Sequence, residues 1–245
     1  MFEQFRKTVT SVPDYQSDPF VKAVTDKLLS TLDQQGEDVT VEGLLEAFRN
    51  HLQTLLTPGA QASEEQAREI LGSDFYSRAD ARAMLSFSGG EETSSEKPLL
   101  PYSVSTLYRA KGNYLLIEGV PVSVNDLCRT HPHLFNENSP PWFANEDFAK
   151  NPVASRAFLI NTKIGAVIKA GATMSPLKNP HSHTQPFRVT PQSEVALAHV
   201  LSSLRNGTSA FGEDFRGRGM PDINGFPALA WVDDGKISFT YNEDP

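Results

Sequence analysis

The chain has 245 residues, 39% apolar and 21% charged, with 15 Phe; that is enough apolar bulk to pack one or two domains, and it excludes wholesale disorder. Thirty acidic against 22 basic residues leave a net charge of −8 and a pI near 5.3, which argues against neutralising phosphates by mass of Lys and Arg, so nucleic acid is not an expected partner. Cys128 is the single cysteine and has no intramolecular disulfide partner, which points to a reducing compartment, the cytoplasm.

The opening MFEQFRKTVTSVPDY has no apolar core of a secretory leader. Stretches such as Tyr114 to Ile117 fall far short of the roughly 20 apolar residues of a membrane helix. No membrane association is expected.

In chain order, Phe20, Val24, Leu28 and Leu32 recur at helical spacing between Ser17 and Asp33, with Asp18 placed to cap the start and Gly36 beyond the end. Val41, Leu44, Leu45, Phe48, Leu52, Leu55 and Leu56 form a continuous stripe over 40–56, stopped by Pro58-Gly59. Ser63-Glu64-Glu65-Gln66 is a capping box that opens a helix to Leu71, closed by Gly72, and Ser77 caps a further one over 78–85. The first third therefore predicts a helical region over 1–87. SGGEETSSEKPLLP is too polar to fold alone and predicts a linker or mobile loop over 88–101.

The pattern then turns mixed, and 102–245 predicts an α/β domain. Strands are expected over 113–118, 120–124, 156–161 and 164–170, with a short helix capped by Ser123 and running to about Thr130. Thr190-Pro191 introduces a helix that is apolar on almost every face from Val195 to Leu204, a pattern that requires burial. Phe226 to Val232 and Lys236 to Tyr241 flank Asp233-Asp234-Gly235 and predict a closing hairpin. The fold class is α+β, with a mostly antiparallel sheet.

Three groups of residues could carry chemistry. Cys128, His131 and His133, with His181 and His183, hold four of the six histidines and the only thiol in two short stretches, and these are usual zinc-ligand types. Their spacing matches no structural zinc motif, and a Cys beside Leu127 more often serves as a small buried apolar residue. Arg216, Arg218 and Asp222 lie in a glycine-rich run expected to be a loop, whose guanidinium forks suit a carboxylate or phosphate, although the spacing matches neither common phosphate-loop pattern. Trp142, Phe143 and Phe148 anchor a loop to the core or, where exposed, offer a contact point for a protein partner.

The segments LGSDFYSRADARAML (71–85), NYLLIEGVPVSVNDLCRTHPHLF (113–135), WFANEDFAK (142–150) and EVALAHVLSSLRNGTSAF (194–211) together resemble a family of uncharacterised bacterial proteins. The family often carries Arg-Thr-Ser-Asp where RGRGMPD stands in this chain. It has no assigned activity, so the resemblance implies one continuous unit from about residue 60 onward and transfers no functional residue. With no complete catalytic constellation in the sequence, the leading expectation is a non-catalytic binding or assembly protein acting on a protein partner or on itself. The rival is a small-molecule enzyme or anion-binding protein built on the Arg/Gly segment, with zinc at the Cys/His stretches. No other cofactor is expected.

Overall fold

A computed structural model of the chain describes residues 6–7, 10–11, 13–18, 21–26, 29–30, 61–86, 99–136, 142–163, 167–168, 187–188, 191–212, 215–221 and 227–241. The fold is α+β. The striped helix expected over 40–56 and residues 88–98 of the expected linker lie outside the described residues. Among the described residues no helix is long and apolar enough to cross a membrane. The chain divides into two compact units, one of Met1–Ile70, Pro98–Lys111 and Gly171–Gln185, the other of Leu71–Lys97, Gly112–Ala170 and Pro186–Pro245.

The described part of the first unit is helical: α1 (Pro13–Ser17), residues 21–26 and 29–30, α2 (Glu64–Leu71) and α4 (Val104–Ala110). Ser63 and Gln66 form the capping box of α2, the Ser63 N–H donating to Gln66 Oε1 at 2.9 Å and the Gln66 N–H to Ser63 Oγ at 3.3 Å. Helix α4 was not expected, because Val104, Ser105 and Thr106 are poor helix formers. It is nucleated by Ser103, whose side chain accepts the Thr106 N–H. The N-terminal segment is tied to it by a mostly buried ion pair, Arg109 to Asp18, at 3.3 Å.

The second unit holds both sheets. Strands β1 (Phe75–Tyr76), β2 (Tyr114–Glu118), β3 (Ala157–Asn161), β4 (Val167–Ile168) and β5 (Phe187–Arg188) lie side by side in that order, β1 parallel to β2 and every other pair antiparallel. Strands β6 (Arg216–Pro221), β7 (Pro227–Asp233) and β8 (Lys236–Tyr241) form a separate antiparallel sheet. The hairpin stands as expected: Asp234 at φ +47° and Gly235 at φ +70° make a two-residue turn closed by the Asp233–Lys236 pair, the twist that adjoining strands require. Helices α3 (Arg78–Met84) and α5 (Val124–Thr130) open on complete capping boxes, Ser77 with Asp80 and Ser123 with Asp126.

Two expectations are corrected. Residues 120–123 are not a strand: Pro121 offers no N–H to a ladder, and the Val122 N–H turns back to the Val120 carbonyl at 2.8 Å. The glycine-rich run at 216–221 is not a loop but strand β6, with a break in register between Arg218 and Pro221. Gly217 and Gly219 hid it, since glycine is depleted in strands and often marks a bulge. Helix α7 (Gln192–Asn206) is buried from Gln192 to Ser203, as its all-round apolar pattern requires, and stops at Gly207 with φ +74°. It packs against α3, α5, α6 (Asp147–Lys150), β6 and β7, so it is the shared core of the unit.

Candidate functional site

The aromatic group is assembled as a cluster. Phe143 is fully buried and meets Phe239 of β8 edge to face at 5.0 Å, and Phe148 closes a triangle with them, 5.7 Å from Phe143 and 5.3 Å from Phe239. Trp142 meets Phe143 at 5.6 Å, donates its Nε1–H to the Phe239 carbonyl at 3.2 Å, and still leaves 43% of its surface exposed. Phe143 and Phe148 thus seat the turn Trp142–Asn145 on the core, while Trp142 faces outward on a fixed base.

Trp142 also covers part of a strand edge. The turn-closing pair Asp233–Lys236 exchanges hydrogen bonds, and bonded pairs alternate, so Ile237 and Phe239 point their backbone groups away from β7. The Phe239 carbonyl takes the indole, and the Ile237 carbonyl takes the Asn136 N–H at 3.0 Å. Both covered carbonyls lie on the outer edge of β8, where an open ladder would invite another strand.

Cys128 lies on α5, packed against the core, and His131 and His133 flank Pro132 just beyond it, their rings 6.3 Å apart. His131 Nε2 is buried without a partner, and burial, then the nearby His133, holds its pKa below the usual value. His181 and His183 lie outside the described residues. Among the described residues, no group of three or more His, Cys, Asp or Glu is placed to hold a metal ion.

Arg216 and Arg218 are in register with Trp231 and Leu229, two positions apart and therefore on one face of β6. Ala230, between those partners, is fully buried. Asp222 lies outside the described residues.

A polar network at the centre of α7 was not anticipated. His199 is fully buried; its Nε2 lies 3.1 Å from the Leu134 carbonyl and its Nδ1 2.9 Å from Ser209 Oγ. A carbonyl only accepts, so Nε2 carries the proton and Nδ1 accepts from the Ser209 hydroxyl. Ser209 Oγ in turn accepts the Phe211 N–H, and Ser202 Oγ accepts the Ala210 N–H while donating to the His199 carbonyl. Burial pushes the His199 pKa down to about 4. The signal was present in the sequence: a histidine within VALAHVLSSL, on a helix with no polar face, must be buried.

No family model matches the chain, and neither the curated proteins nor the solved structures include a significant match to it.

Proposed function

We propose that the protein is a non-catalytic binding or assembly protein of the cytoplasm that acts through protein–protein contacts, with Trp142 as its anchor. The observation that supports this reading is the seating of Trp142. An exposed indole whose ring is fixed by one hydrogen bond and an edge-to-face contact loses little conformational freedom on binding, and tryptophan is enriched where interface energy concentrates. The acidic surface favours a basic or neutral partner over an acidic one.

The test is sedimentation equilibrium over a wide concentration range, with affinity capture by the full chain, for the wild type, Trp142→Ala and Trp142→Phe. Trp142→Ala is expected to weaken the association by about tenfold or more. Trp142→Phe, which lacks the Nε1 donor, should fall between the two. A monomer that captures nothing, or an association indifferent to Trp142→Ala, would overturn the reading.

A further inference from the structure

We infer that Asn206 is a site of self-modification, at which the Gly207 nitrogen displaces the Asn206 side-chain amide whenever the last turn of α7 opens, and that Arg205 sets how often it opens. Asn206, Gly207 and Thr208 form an exposed tip at the C-terminal end of α7. Gly207 stands at φ +74°, with nothing within 4 Å of where a Cβ would be. An Asn followed by Gly is the pair least hindered toward ring closure, because glycine has no Cβ to shield its nitrogen and its backbone turns freely.

Water is the only co-reactant. The Gly207 nitrogen gives up its proton and bonds to Asn206 Cγ, the Cγ–Nδ2 bond breaks, and ammonia leaves with the proton, so the first product is a five-membered succinimide. Water then opens the ring at either carbonyl. Attack at Cγ leaves aspartate, and attack at the backbone carbonyl leaves isoaspartate, in which the main chain runs through Cγ. Either product places a negative charge at the C-terminal end of a helix dipole, where anions are disfavoured. Isoaspartate also lengthens the main chain by one atom, which displaces the Gly207 N–H from the carbonyl that caps the helix.

The folded end of α7 opposes this reaction. The Gly207 N–H is engaged by the Ser203 carbonyl at 2.9 Å. Asn206 is the last helical residue, whereas ring closure needs its ψ to leave the helical range and bring Cγ to the nitrogen. Its carboxamide also lies beside the hydroxyl of Tyr76, the ring that Arg205 covers at 3.8 Å. A helix end ordinarily frays at little cost. Here Arg205 ties the turn to the Ser73 and Phe75 carbonyls at 2.9 and 2.7 Å. Opening the turn far enough to react breaks those bonds, so the rate at Asn206 follows the strength of the Arg205 clamp. Because the ammonia is lost, conversion is one-way, and isoaspartate undoes the Gly207 cap for good.

The test is peptide mapping by mass spectrometry of the full chain, incubated folded and in urea at mildly alkaline pH; mapping separates this pair from Asn224-Gly225, the other Asn-Gly in the sequence. In the folded wild type, isoaspartate is expected to accumulate at position 206 at least about tenfold more slowly than in urea. Arg205→Ala should speed the folded reaction by about tenfold, and Arg205→Lys by less, while in urea all three chains react alike. If Arg205→Ala fails to fold, the comparison of Arg205→Lys with the wild type decides alone. No product at position 206 in the folded chain after about a hundred half-times of the urea reaction, a folded rate equal to that in urea, or a folded rate indifferent to both Arg205 substitutions would each overturn the inference.

Discussion

Gly119 marks a place where a single residue sets the distance between two backbones. Its N–H donates to the Arg156 carbonyl at 3.0 Å, and a Cβ on it would overlap the Ala154 carbonyl oxygen. The constraint is proximity, in contrast to Gly235, whose φ of +70° is what the hairpin turn needs while open space surrounds it. Backbone cannot retreat as a flexible side chain can, so Gly119→Ala is expected to cost about 1–3 kcal/mol. Urea denaturation checks this through a lower midpoint at unchanged slope; an unchanged midpoint would mean that residues 154–156 shift freely. Neither this glycine nor His199 stood out in the sequence as a site. His199 was discoverable from its setting on a helix without a polar face, whereas the need for Gly119 arises from residues 35 and more positions away, which no local pattern reports.

At the scale of elements, legibility followed the locality of the signal. The capping boxes at Ser63, Ser77 and Ser123, the all-round apolar α7 and the Asp-Gly turn each combine a few neighbouring residues, and each stands where the sequence placed it. Strand β6 and the non-strand at 120–123 were misread because tertiary pairing overrode propensity in the first and Pro121 removed a ladder donor in the second. The candidate site was less legible still: the residue types were visible in the sequence, but Trp142's fixed exposure and the covered edge of β8 depend on long-range pairing.

The far end of α7 gives an element-scale prediction. Arg205 donates to the Ser73 and Phe75 carbonyls at 2.9 and 2.7 Å, lies 3.8 Å over the Tyr76 ring and reaches Asp80 at 3.7 Å. It fastens the last turn of α7 to the segment that leads into α3. Arg205→Ala is expected to lose about 2–3 kcal/mol, mostly from the charge-assisted bonds and the ring contact, with little from the loose Asp80 pair. Arg205→Lys should recover less than half, because an ammonium has no planar face to lay on the Tyr76 ring while it donates to the two carbonyls. Full recovery by lysine in chemical denaturation would reduce the role of Arg205 to its charge at a helix C-terminus.

At the scale of the molecule, the chain is interleaved: each unit draws on three separated segments, so a cut at one point does not release either of them whole. Residues 71–86 illustrate the consequence. They lie before the polar stretch at 88–101, yet Phe75 and Tyr76 form β1 beside β2, and Ala81 and Leu85 belong to the core cluster that α7 completes. A fragment starting at residue 102 lacks all of these, together with both carbonyls that hold Arg205. Each large buried side chain contributes about 1.5–3 kcal/mol, so losing Phe75, Tyr76 and Leu85 consumes much of the roughly 5–15 kcal/mol by which a folded protein is stable. The fragment 102–245 is therefore expected to melt without a cooperative transition and to lack near-UV ellipticity. A fragment 71–245, which restores β1 and α3, should melt cooperatively and resist denaturant better. Equal behaviour of the two would mean that the second unit's core closes without β1 and α3, and the polar stretch would then mark a true domain boundary.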